Sequence, residues 1–228
     1  MVRAVIFDAD HTIYVPRTEQ AYREKFKYLS QRLGVSQDRL RSIWEEQVDE
    51  ALNADDPEKR KREVVLEKTL METELPADQR GELAEEAVER FWSHVVDDIE
   101  YDEETEAMMD RLRQQGLDMV AVASDEFREP LERKLNHMLG DWERYFDMLV
   151  TPESAGSMKP SKDFYRSILA EEDLEAEEVV VVGDSWERDL QPAADMGLVT
   201  VLLSDEADGD PDFVIDKLAK LEQIIEKL

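Results

Sequence analysis

Apolar residues fall along this chain in two different patterns. Val2 to Phe7, interrupted only by Arg3, form a short apolar run that reads as a buried strand. From about residue 18 to 96 no strand pattern follows. Apolar positions recur instead at helical spacing: Tyr22, Phe26, Leu29 and Leu33, then Leu40, Ile43, Trp44 and Val48. Val64, Val65, Leu66 and Leu70 form a third set, and Leu83, Ala87, Val88, Phe91 and Trp92 a fourth. Breaks are expected at Gly34-Val35-Ser36, Asp56-Pro57 and Leu75-Pro76-Ala77-Asp78. The pattern predicts about four helices, enough for a small bundle.

From residue 102 the two patterns alternate. A helix over about 103–115 should end at Gly116, a suitable residue just past a helix C-terminus, with a strand at 118–123. A helix at about 127–139 leads to a short strand near 147–150, and a helix at about 161–170 leads to the valine run 179–182. A helix over about 187–196, strands at 198–203 and 213–215 and a terminal helix complete the chain. Strands separated by helices imply βαβ units, and all-apolar strands imply a sheet covered on both faces. The expected fold is α/β: a Rossmann-like, mostly parallel sheet core (1–15 and 98–228) with an inserted α-helical segment at 16–97.

Composition narrows the partners. The chain has 228 residues, 42% of them hydrophobic, which is enough for a core. Asp and Glu number 57 against 28 Lys and Arg, a formal net charge of −29. Such a field repels nucleic acid and anionic membrane, so neither is expected as a partner. We read it as adaptation to high salt, where at roughly 1 M the Debye length is about 3 Å and self-repulsion is screened. Arginines outnumber lysines as well, the pattern of salt-accumulating archaea. With no cysteine there is no disulfide or thiolate metal site. No transmembrane run or leader pattern is visible, so a cytoplasmic location is expected.

Ligands of open α/β sheets bind beyond the carboxyl ends of the strands, so the residues following each strand are the informative ones. The first strand is followed by Asp8, Asp10 and Thr12, and the second by Ser124 and Asp125. After the third comes a loop carrying Lys159 and Pro160, and the valine run ends in Gly183-Asp184, with Asp189 close behind. Carboxylates gathered at buried strand ends are costly unless a cation joins them, and a hard divalent ion such as Mg²⁺ suits oxygen ligands beside phosphate. The set fits a divalent metal plus a phosphoryl group. A further acidic run, Asp208, Asp210 and Asp212, lacks the glycine and distal glutamate of a Ca²⁺ loop and reads as a solvated turn.

Asp8-Ala9-Asp10-His11-Thr12, Ser124, Lys159 before Pro160, and Gly183-Asp184 with Asp189 resemble the four ordered motifs of the haloacid dehalogenase superfamily. The insertion after the first motif resembles its C1-type helical cap. The resemblance implies Asp8 as nucleophile and Asp10 as general acid and then base. It implies Mg²⁺ held by Asp8, the Asp10 carbonyl and Asp184. Ser124 and Lys159 would take the phosphoryl group, with Thr12 supporting the turn and Asp125 beside the phosphate. Asp189 would fix Lys159 or a metal-bound water from behind.

Three positions depart from the family pattern. His11 stands where glycine is usual, and its side chain is expected to point away from the chemistry. Asp125 adds a negative charge where a neutral residue is common. Arg188 replaces a frequent asparagine and is placed to offset that charge. The basic run Lys59-Arg60-Lys61-Arg62 reads as a solvated helix face. Tyr14, Arg17, Tyr22 and Trp44 are candidate pocket residues.

Within the superfamily Asp10 is the discriminating residue, because an alkoxide leaving group needs a proton and a halide does not. The expectation is a Mg²⁺-dependent phosphatase acting on a small phosphorylated metabolite through an aspartyl-phosphate. A phosphomutase or a non-catalytic binding relative is the alternative, and dehalogenation is disfavoured. The substrate and the oligomeric state stay open.

Overall fold

The computed structural model describes residues 1–54 and 56–228. It divides into two compact units, Met1–Val15 with Glu100–Leu228, and Pro16–Ile99.

The first unit is built on a six-stranded sheet. Its strands are β1 (Ala4–Asp8), β4 (Met119–Ala123), β5 (Met148–Val150), β6 (Val179–Gly183), β7 (Val199–Leu203) and β8 (Phe213–Ile215). The order is β5-β4-β1-β6-β7-β8, and every pairing is parallel. Two further strands, β2 (Val15–Pro16) and β3 (Ile99–Glu100), form a separate two-stranded sheet through which the boundary between the units runs.

The apolar strands are covered on both faces, as their lack of alternation implied. Ala4, Ile6, Ala121, Val179 and Val181 pack with Phe164, Tyr165 and Ile168 in one core cluster. The intervening Val5, Phe7, Val120, Val122, Val180 and Val182 are equally buried. Connections in this unit carry α5 (Glu103–Gln114), α6 (Arg128–Leu139), α7 (Pro152–Ala155), α8 (Lys162–Glu172) and α9 (Gln191–Ala194), and α10 (Leu221–Ile225) follows the last strand.

The helix expected over 187–196 is instead a π-helical turn, Trp186–Leu190, followed by the four-residue α9. Pro192 in the first turn of α9 has no N–H to continue the ladder. Leu190 N bonds Ser185 O at 3.3 Å, the wider spacing of a π turn. Asp212 also differs from a free turn residue, because its carboxylate accepts from Thr200 N at 2.8 Å and Thr200 Oγ1 at 2.9 Å.

The second unit consists of α1 (Glu19–Leu33), α2 (Gln37–Leu52), α3 (Arg62–Met71) and α4 (Ala77–Asp97). Gly34, with φ +68°, ends α1, and the Ser36 hydroxyl caps α2 by accepting from Arg39 N. Phe26, Leu29, Leu40, Leu66, Leu70, Leu83, Phe91 and Trp92 make its core. Arg62 corrects the reading of the basic run as a solvated face. Its guanidinium donates to the Tyr22 hydroxyl at 2.8 Å and lies 4.4 Å from the Phe91 ring centroid.

Candidate active site

Strand register decides which side chains meet. Asp8 pairs with Ala123 and Phe7 with Val182, so Ser124 and Asp184 leave the sheet beside the end of β1. Val150 also pairs with Ala123, which brings the segment after β5, including Lys159, to the same edge. The strand order reverses direction at β1, the point where open α/β sheets leave a crevice. A cavity of about 460 Å³ opens there. It is lined by Asp8, Asp10, His11, Ser124, Asp125, Glu126, Lys159, Asp184, Ser185, Arg188 and Asp189.

Lys159 is the buried centre of this group. Its Nζ donates to Asp8 Oδ1, to Asp189 Oδ1 at 2.6 Å and to the Ala123 carbonyl at 3.2 Å. Burial alone would depress its ammonium, but Asp8 and Asp189 outweigh that and hold its pKa above the ordinary lysine value. Asp189 is buried with both oxygens engaged, the second accepting from Ser185 N at 3.2 Å. Gly183 makes room for it: a Cβ at that position would lie 2.7 Å from Asp189 Cβ.

Negative charge exceeds what Lys159 neutralises. Oxygens of Asp8, Asp184 and Asp189 lie within 4.8 Å of one another. Burial, with added repulsion from Asp189 and Asp184, pushes the Asp8 carboxyl up to about 7 despite Lys159. Burial and Asp189 raise Asp184 as well, while His11 opposes the shift. Asp8, Asp184 and Asp189 together offer the oxygen donors that suit a hard divalent cation.

Asp10 faces a different partner. Its Oδ1 accepts from Lys134 Nζ at 2.7 Å, and Lys134 also pairs with Glu126. Lys134 is 1% exposed, and its Nζ lies 4.8 Å from the ring centroid of the buried Tyr14. Neither Lys134 nor Glu126 was anticipated. The available signal was positional: on α6 Lys134 stands three residues after buried Leu131 and four before buried Met138, on the helix's apolar face.

The remaining expected residues are placed as follows. Ser124 is buried on the cavity wall, its Oγ accepting from Glu126 N at 3.0 Å. Asp125 bridges two elements: Oδ1 accepts from Lys159 N at 2.8 Å, and Oδ2 pairs with Arg188. Its carboxylate therefore holds the lysine loop and is no free charge beside a phosphate. Thr12 is buried in the turn after β1 and is not among the residues lining the cavity. His11 differs from its expected direction. It lines the cavity at φ +64°, a left-handed conformation that explains the usual glycine there.

A sequence model described as haloacid dehalogenase-like hydrolase matches residues 2–197. A glyceraldehyde 3-phosphate phosphatase of Methanocaldococcus jannaschii is 34% identical over 90 residues, 37% of this chain and 40% of the relative. A ribulose-1,5-bisphosphate 5-phosphatase of Halopiger xanaduensis is 29% identical over 130 residues, 57% of this chain and 53% of the relative. The chain thus spans about half or less of the length of these relatives. Among solved structures, a 2-haloacid dehalogenase from Pseudomonas syringae superposes with a TM-score of 0.80 at 22% identity, covering 100% of this chain and 99% of the other. A phosphatase of the same fold from Thermococcus onnurineus gives 0.71 at 22% identity, covering 98% of each chain. At these identities the structural matches speak for the fold alone. Among the described residues no helix is long and apolar enough to cross a membrane.

Proposed function

Because the chain belongs to the haloacid dehalogenase-like hydrolase family, we propose that it is a phosphatase that removes the phosphoryl group of a small phosphorylated metabolite. The observation that carries this reading is the division of labour between two aspartates one residue apart. Asp8 is held by Lys159 among other carboxylates, while Asp10 is held separately by Lys134.

In this reading Asp8 attacks phosphorus, a P–O bond to Asp8 forms, and the P–O bond to the leaving alkoxide breaks. Asp10 delivers the proton that the alkoxide needs. Water then attacks phosphorus and the bond to Asp8 breaks, with Asp10 accepting the proton from water. Lys159 and the Ser124 hydroxyl hold the phosphoryl oxygens throughout. Asp189 keeps Lys159 in line, and Asp125 and Arg188 fix the loop that carries it. Asp8, the Asp10 carbonyl and Asp184 would hold Mg²⁺. When bound, the ion masks charge on the nucleophile and the phosphoryl group. The helical segment 16–97 serves as a cap that limits access to small substrates. The curated relatives, named for a triose phosphate and a pentulose bisphosphate, support a sugar-phosphate-sized substrate.

Asp10 also separates this reading from dehalogenation, since a departing halide takes no proton. The test is hydrolysis of p-nitrophenyl phosphate with Mg²⁺ at molar KCl, where the net charge of −29 is screened. Wild type should turn over and Asp8→Asn should not. Equal background rates in both overturn the proposal. For the metal, Mg²⁺ should raise the melting temperature of wild type and Asp10→Asn but not of Asp184→Asn.

A further inference from the structure

Lys25 on α1 lies within the helical unit and is 2% exposed. Its ammonium sits among aromatic rings, with centroids at 4.0 Å for Trp44, 4.6 Å for Phe26, 4.8 Å for Tyr22 and 5.4 Å for Phe91. Contacts of this kind return up to about 2 kcal/mol each when desolvated, against a penalty of several kcal/mol for burying the charge. Among the described residues no carboxylate contributes to its pKa shift. Burial lowers its pKa far below the ordinary lysine value, and the neighbouring charges that add to this are those of Arg62 and Arg41.

Those two arginines flank the same aromatic cluster. Arg62 stacks near Phe91 and donates to Tyr22, and Arg41 lies 5.4 Å from the Phe26 centroid. Among the described residues none of the three cations pairs with a carboxylate, in a chain where acidic residues outnumber basic ones 57 to 28. A second observation points the same way. The indole N–H of Trp44 is buried and has no acceptor among the described residues. A buried indole donor without an acceptor, beside a lysine held among aromatic rings and two guanidinium groups, is an unfinished arrangement of one sign. Native structures rarely leave such groups unpaired, and a bound ligand is one of the ways they are completed.

We propose that the helical unit binds a compact monoanion, a halide or a small carboxylate, at Lys25 Nζ and Trp44 Nε1, with Arg41 and Arg62 supplying further positive charge. The apolar surroundings select against a phosphate dianion, because the desolvation cost of an ion rises with the square of its charge. None of these residues lines the cavity at the strand ends, and the proposal does not depend on the phosphatase reading. Its occupation makes the stability of this unit depend on which anion is present, beyond ionic strength.

The test uses the full chain at constant potassium concentration, replacing methanesulfonate by bromide in one series and by formate in another. Thermal unfolding is followed in each, and bromide is located by anomalous scattering in crystals. Wild type should show a saturable rise in melting temperature, and a bromide peak should lie beside Lys25. Saturation with bromide alone identifies a halide site, with formate alone a carboxylate site, and with both a site for either. The apparent affinity should fall about tenfold or more in Lys25→Met and in Trp44→Phe, the loss expected for one charge-assisted contact. Trp44→Phe keeps the ring and remains informative if Lys25→Met does not fold. No saturable effect in wild type, or an unchanged one in the variants, overturns the proposal.

Discussion

Lys134 Nζ lies 2.7 Å from Asp10 Oδ1, and the lysine is buried while the aspartate side chain is 41% exposed. The pair joins α6 to the turn after β1. Burial would lower the Lys134 pKa, but Glu126 and Asp10 outweigh it, so the ammonium is held charged. A fixed cation beneath the carboxylate pins its position while its outer side stays open to the cavity. Asp8 and Asp10, one residue apart in sequence, are thereby tied to two different lysines from two different helix-bearing connections.

The first prediction concerns that lysine. Lys134→Met should be made together with Glu126→Gln, because removing one partner of a buried pair alone costs about 3–5 kcal/mol. With an alkyl phosphate, kcat should fall roughly 10- to 100-fold through misplacement of the general acid. With p-nitrophenyl phosphate, whose leaving group needs little protonation, kcat should change far less. Equal losses on the two substrates would contradict a role exerted through Asp10.

Gly183 provides the second. The Gly183→Ala methyl would meet Asp189 Cβ at 2.7 Å and Oδ2 at 2.9 Å, so Asp189 must move and Lys159 loses its 2.6 Å partner. Overpacking of this kind costs about 1–3 kcal/mol of stability. Activity should fall further than stability alone explains, by about tenfold or more at temperatures where the variant is fully folded. Chemical denaturation and steady-state kinetics on the same preparation check this.

His11 gives a third, of opposite sign. An L-residue in the left-handed region costs about 1–2 kcal/mol, partly offset because glycine loses about 0.5–1 kcal/mol more chain entropy on folding. His11→Gly should therefore stabilise the protein by up to about 1 kcal/mol, measured by denaturant unfolding. A clear destabilisation would mean that the side chain earns its strained backbone through contacts in the cavity.

The fold and much of the site were legible from residue pattern because both rest on local signals. Each central strand is an unbroken apolar run, and Asp8, Ser124 and Asp184 were found by looking where those runs stop. Parallel pairing then brings them together without further information. Lys134 and Lys25 were invisible for the converse reason. A lysine on a helix looks solvated until tertiary packing buries it, and its partners are distant in sequence: Asp10 is 124 residues from Lys134. His11 was misjudged because its direction follows from a positive φ that composition does not encode. The π turn that carries Arg188 and Asp189 likewise has no local signature beyond Pro192.

Asp125 yields the fourth prediction. Its pair with Arg188 joins a half-buried carboxylate to a guanidinium that is 62% exposed, and Arg188→Ala should cost no more than about 1 kcal/mol. Asp125→Ala removes the acceptor for Lys159 N as well, and should lower kcat by a larger factor than Arg188→Ala. Asp125→Asn, which keeps an acceptor oxygen, should recover most of that loss. Similar kinetics for Asp125→Ala and Arg188→Ala would show that the backbone bond to Lys159 does not matter.

The most direct test is to ask whether the phosphoryl group passes through Asp8. Turnover of a phosphoryl-labelled substrate is quenched in acid and the label is mapped on the peptides of the protein. The account predicts label on the peptide containing Asp8 in wild type and none in Asp8→Asn. Label on a different residue, or hydrolysis by Asp8→Asn at the wild-type rate, would contradict it.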